Sequence, residues 1–103
     1  MSVKRAWRNQ AQVFFDYAAG QLVSFDAVTS AQSGAINATV ARVVATQDCW
    51  YRISAEPTAD KTGTSAFLPA GAVEYVALVS GHRFAVIGDA ASGSFSIIPA
   101  EEI

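Results

Sequence analysis

The chain has 103 residues, of which 51% are hydrophobic and 16% charged, with a formal net charge of −2. One small core fits that length, the apolar content excludes disorder, and a single Cys and a single His exclude a disulfide scaffold and a Cys/His zinc site. Nine acidic against seven basic residues, with a pI near 5.1, argue against a dedicated nucleic-acid binder.

The chain holds 20 Ala but only 3 Leu, while Val, Ile and Thr together number 23. β-Branched residues fit a pleated, half-buried surface, whereas Leu, Glu and Lys are commoner helix material. Residues 1–10 read as an N-terminal arm. Lys4, Arg5 and Arg8 flank Trp7 there, and no acidic residue precedes Asp16. Such an arm can lie on nucleic acid or on an acidic neighbouring subunit. No apolar stretch of signal-peptide length follows, and no run approaches the roughly 20 apolar residues of a bilayer span. A soluble chain made in the cytoplasm is therefore expected, and the lone Cys49 fits a reducing compartment.

Alternation then marks the strands. Val13, Phe15 and Tyr17 alternate with Phe14 and Asp16, and Val23, Phe25 and Ala27 with Leu22, Ser24 and Asp26. With Ala19-Gly20 as a tight turn, residues 12–28 read as a hairpin. A competing reading puts a helix in the first 20 residues, because Trp7, Ala11, Phe14 and Ala18 sit at helical spacing. Ile36, Ala38 and Val40 alternate onward to a slip at Val43-Val44, which signals a bulge or a strand buried on both faces. Further alternating runs lie at residues 49–54, 73–79, 83–87 and 94–98.

Turn chemistry separates these runs: Thr29 to Gly34, Glu56-Pro57 to Thr64, Pro69-Ala70-Gly71, Ser80-Gly81-His82 and Asp89 to Gly93. Seven to eight short strands at this spacing predict an all-β domain over residues 11–103. The expected form is a small antiparallel β-sandwich or jelly-roll-like barrel behind the extended arm.

Most chemistry-bearing candidates read as decoys. Asp60-Lys61-Thr62-Gly63-Thr64 matches the phosphorylation motif of P-type ion pumps letter for letter. That chemistry needs a magnesium site, several phosphate-binding loops and a domain larger than this chain, so a polar turn is expected instead. Cys49 and His82 are the one possible thiol–imidazole pair, yet Cys49 reads as a small buried hydrophobe and His82 as a turn residue. Glu101 and Glu102 are adjacent and would face opposite sides of a strand. Asn37-Ala38-Thr39 matches a glycosylation sequon expected to go unused. No catalytic residue, cofactor site or metal site is expected.

The segment from Val40 to Ile98 carries a larger pattern. Arg42-Val43-Val44-Ala45-Thr46-Gln47-Asp48-Cys49 is followed by Glu56-Pro57-Thr58-Ala59, Ser65-Ala66-Phe67-Leu68-Pro69-Ala70-Gly71 and Val73-Glu74-Tyr75. Phe84-Ala85-Val86-Ile87-Gly88-Asp89 and Ala91-Ser92-Gly93-Ser94-Phe95-Ser96 complete it. This resembles a group of small proteins of tailed bacteriophages, usually encoded among virion structural genes. Under that resemblance Pro57 and Pro69 stiffen a long connection, Phe67 and Leu68 anchor it on the core, and Gly93 is free to take positive φ.

The resemblance implies a virion structural protein, assembled in the host cytoplasm. Its most concrete form is a capsid decoration or cement protein that clamps capsomers. Other virion proteins, foremost the major capsid protein, and further copies of itself are the implied partners. A tail, neck or fibre-attachment component is the alternative of the same kind. A carbohydrate-binding sandwich, with Trp50 and Arg52 on an outward face, is the alternative of another class. The expected interface residues are Lys4, Arg5, Trp7, Arg8, Trp50, Arg52, Phe67 and Leu68.

Overall fold

The computed structural model describes residues 13–102. The arm of residues 1–10, with Lys4, Arg5, Trp7 and Arg8, lies outside them. Nine strands follow in chain order: β1 (Val13–Phe15), β2 (Gln21–Phe25), β3 (Ala31–Gln32), β4 (Val40–Ala45), β5 (Cys49–Ser54), β6 (Ala66–Leu68), β7 (Glu74–Ala77), β8 (Arg83–Gly88) and β9 (Gly93–Glu102).

All pairings are antiparallel and fall into two sheets, so the all-β sandwich expectation holds. The five-stranded sheet is built on β9. On one side β9 pairs with β2 through Gly93–Ile97 and with β1 through Ala100–Glu102. On the other side it pairs with β4, and β7 lies beyond β4. The four-stranded sheet runs β3-β8-β5-β6. The core lies where the inner faces meet. Val23, Phe25, Ala41, Val43, Ala45, Phe95 and Ile97 come from the first sheet, and Cys49, Tyr51, Leu68, Phe84 and Val86 from the second. Tyr51, Phe84 and Phe95 pack with ring centroids 5.6–6.0 Å apart, in the tilted arrangement aromatic rings prefer. Burying each such side chain stabilises the fold by about 1.5–3 kcal/mol.

Several local expectations are corrected. Residues 12–28 form no hairpin: β1 and β2 each pair with β9, and Tyr17–Ala19 between them is a 3-10 turn. That turn is the helical structure among described residues before Gly20. Nine described strands replace seven to eight, because the short β3 and β6 complete the second sheet. Ile36 and Ala38 are buried but precede β4, which begins at Val40. Val43-Val44 marks no bulge: β4 keeps register with both neighbours, with Ala41, Val43 and Ala45 inward and Val44 half-buried outward.

Gly81 (φ +95°) turns the chain between β7 and β8. Gly93 does not take positive φ; it is constrained by proximity, since a Cβ there would lie 2.8 Å from Thr46 Oγ1 and 2.9 Å from the Phe25 ring.

Candidate functional site

The two outer faces of the sandwich differ. The four-stranded sheet is covered by the chain's own β5–β6 connection. Ala59 from that loop is buried on Ala85 and Ile87, with Trp50 packed alongside. Hydrogen bonds hold the loop in place. Ser30 Oγ accepts from the Ala59 amide (2.9 Å), and Gln32 Nε2 donates to the Pro57 carbonyl (3.2 Å). Lys61 Nζ donates to the carbonyls of Ala27 (2.8 Å) and Asp89 (3.0 Å), so it ties the loop to two further turns.

This accounts for the Asp60-to-Thr64 motif. The Asp60 carboxylate accepts from the Thr64 hydroxyl (2.6 Å) and the Thr62 amide (3.1 Å). Those bonds, the Thr64 hydroxyl foremost, hold its pKa below the usual carboxylate range. It caps its own turn as an exposed Asp does.

Cys49 and His82 do not meet. Cys49 pairs with Gly88 at one end of the β5–β8 ladder, while His82 precedes Arg83 at the other end, opposite Ser54. Five residues of strand separate the two positions, about 16 Å. Burial, then the nearby Asp48 charge, pushes the thiol up to about 12, the reverse of an activated nucleophile. Among the described residues no three His, Cys, Asp or Glu side chains come together as a metal set. An open groove of about 560 Å³ lies between Val28–Gln32 and Pro57–Ala59, and no titratable side chain lines it.

The sequence-predicted interface residues on the four-stranded sheet separate into different roles. Trp50 is half-buried: its indole Nε1 donates to Asp89 Oδ1 (3.0 Å), and its ring packs on Phe67 at 5.1 Å. These two contacts fix the orientation of the indole, which stays partly exposed. Arg52 is exposed, and Phe67 is 40% exposed. Leu68 is fully buried, so it anchors β6 in the core and is not available as an interface contact.

The outer face of the five-stranded sheet is covered less fully: Gly20, at the end of the 3-10 turn, lies against Ile98 and Ala100 is buried, while several larger side chains stay exposed. Residues opposite one another in antiparallel strands share a face. The register therefore places Phe15, Ala100, Val40 and Ala77 in one outward row, and Ile98, Arg42 and Tyr75 in the next. Leu22, Ser96 and Val44 form a third. Phe15 and Tyr75 come from β1 and β7, on opposite sides of β9 and β4, yet their rings lie 6.1 Å apart. The rings thus meet above the two intervening strands, and Tyr17 extends the strip, 5.9 Å from Phe15. Tyr17 is 73% exposed, Leu22 70% and Tyr75 59%, so the strip presents aromatic and aliphatic surface outward. Arg42, half-buried, stands on this face between Ile98 and Tyr75.

Sequence reasoning missed this strip. The signal was present in Val73, Tyr75, Ala77 and Val79, but Val76 and Leu78 made the opposite row of β7 apolar as well.

No protein-family model, no curated protein and no solved structure matches the chain.

Proposed function

We propose that this chain is a non-catalytic structural subunit of a bacteriophage virion, most concretely a capsid decoration or cement protein that binds the head surface and stabilises capsomer contacts. The observation that carries the reading is the contrast between the two outer faces. One sheet is partly covered by its own loop, while the other holds out an aromatic strip. A contiguous apolar surface with aromatic anchors supports a contact-making role, because an unused patch of that kind is an aggregation liability. The phage resemblance of residues 40–98 supplies the setting. In this reading the β-domain clamps neighbouring capsomers through non-covalent burial.

The test is reconstitution on heads assembled from the capsid protein of the same phage and stripped of this chain. The chain should co-sediment with such heads in many copies and raise their melting temperature. Tyr75→Glu should weaken that binding. A handful of copies per particle, with none on the shell, would transfer the chain to the tail or neck.

A further inference from the structure

We infer that residues 56–65, the connection between β5 and β6, form a strap that opens as a unit from the outer face of the four-stranded sheet, with Lys61 as its latch. This stands independently of the decoration reading, because it concerns the sheet opposite the aromatic strip.

The way the strap is held is the first argument. No backbone–backbone hydrogen bond joins residues 56–65 to another described segment. Its hydrogen bonds to the rest of the described chain each use a side chain instead. Ser30 and Gln32 reach it from the neighbourhood of β3, and its own Lys61 reaches out to Ala27 and Asp89. Bonds of this kind can part together and leave the strand ladders of both sheets intact, which is the condition for local opening.

Packing is the second argument. Pro57 and Ala59 are the buried residues of the strap. Ala59 rests on Ala85 and Ile87, in a cluster separate from the core that contains Phe84, Val86 and Phe95. Burial of these small side chains stabilises far less than burial of a large one, since the gain scales with apolar area. The groove of about 560 Å³ between Val28–Gln32 and Pro57–Ala59 also leaves one flank of the strap open.

The tip explains why Lys61 is the latch. The Asp60 carboxylate accepts from Thr62 and Thr64, and the Asp60 amide donates to Ser65 Oγ (3.1 Å). Residues 60–65 therefore keep their shape when the outer bonds part. Lys61 projects from this tip and pins it to two turns at once, the one after β2 and the one after β8. Its charge makes these bonds stronger than neutral ones. Opening has a defined consequence. The register sets Ile87 opposite Trp50, and Trp50 opposite Phe67, on the outward face. Lifting the strap joins the exposed Phe67 to an aliphatic and aromatic row that the closed strap partly hides.

The experiment is native-state amide hydrogen exchange, followed by NMR on the full chain. The Ala59 amide, bonded to Ser30 Oγ, reports the strap, and the β8 amides report the sandwich. Ala59 should exchange about a hundredfold faster than the β8 amides, with almost no dependence on low urea, as a local opening does. Lys61→Met should speed Ala59 exchange about tenfold, the scale of one hydrogen bond to a charged group. Thr58→Ala, an exposed change on the same strap, should leave it unchanged. Val43→Ala, in the core of the other sheet, should speed the β8 amides and leave Ala59 unchanged. An Ala59 rate that follows the β8 amides in urea or in Val43→Ala overturns the separate strap. So does a Lys61→Met chain that fails to fold. An Ala59 rate unmoved by Lys61→Met, or moved as much by Thr58→Ala, overturns the latch.

Discussion

The Tyr51 hydroxyl donates a 2.7 Å hydrogen bond to Glu74 Oε1, joining β5 of one sheet to β7 of the other. The contact is part-buried, and it turns the one acidic side chain of β7 inward. An inward charge on an edge strand discourages edge-to-edge pairing. Glu74 therefore leaves β7 to present its outward row, Tyr75 and Ala77, from the face.

Tyr51→Phe removes the donor and keeps the ring on Phe84 and Phe95. The Glu74 carboxylate is then left part-buried without its partner, at a cost of about 1–3 kcal/mol. Glu74→Gln keeps a carbonyl acceptor and should cost about 1 kcal/mol or less. Urea unfolding of both variants checks the order. Equal losses would mean that the hydroxyl is not what satisfies Glu74.

Stability should fall in alkali, in two overlapping stages. Burial first, then the Asp48 charge, raises Cys49 from 9.0 to about 12. Burial first, then the hydrogen bond to Glu74, raises Tyr51 above its usual 10.0. In both cases the folded chain favours the neutral form, so the unfolded chain loses its proton at lower pH. The stabilisation is fully present below pH 9, where both states are protonated. It is lost as pH rises through 9, where the unfolded thiol ionises, and further above 10, where the unfolded phenol follows. Urea midpoints measured from pH 7 upward should be flat to about 9 and then decline. Cys49→Ala should remove the earlier part of the decline and Tyr51→Phe the later part. A decline unchanged in both variants would assign it to other groups.

Gly88 ends β8, and its amide donates to the Asp26 carbonyl (2.7 Å). A Cβ there would press into the Ala91 carbonyl oxygen and lie 3.0 Å from the Phe25 ring. Backbone on one side and a core ring on the other leave little to give, so Gly88→Ala should cost about 2–3 kcal/mol. Gly63, at φ +101°, has open space around it. Gly63→Ala should then cost only the left-handed strain, about 1 kcal/mol. Thermal melts of the pair separate crowding from conformation, and a larger loss at Gly63 would contradict the packing described for Gly88.

Alternation was a reliable guide wherever one row was apolar and the other polar. It failed where pairing depended on distant chain. β1 and β2 looked like a hairpin because they are neighbours in sequence, but both dock on β9 at the far end of the chain. Pro99 concealed the length of β9: a proline inside a central strand argues against strand, yet here it faces Ala41 within the ladder. The open face was hidden for a different reason. The pattern indicates which residues share a face, not which face a loop will cover. Trp50, Arg52 and Phe67 were natural choices from the sequence, and the connection that ends beside them belongs to tertiary structure. Phe15, Tyr17 and Tyr75 come from separate segments and become one strip only through the sheet.

The chain's single thiol should be inert in the native state. Cys49 is fully buried on the inner face of β5, and its ionisation is suppressed. With a pKa of about 12, the thiolate fraction at pH 8 is on the order of one in ten thousand, and reagents react with the thiolate. Labelling must therefore wait for an opening of the sandwich. An aromatic disulfide reagent at pH 8 should modify almost none of the native protein and one equivalent after denaturation, since the chain has one Cys. The native rate should rise in Tyr51→Phe, which lowers the cost of opening, and should scale with its loss of stability. Fast native labelling, or dependence on His82, would show instead that the thiol is exposed and activated, and would reopen the dyad that their opposite positions on the β5–β8 ladder exclude.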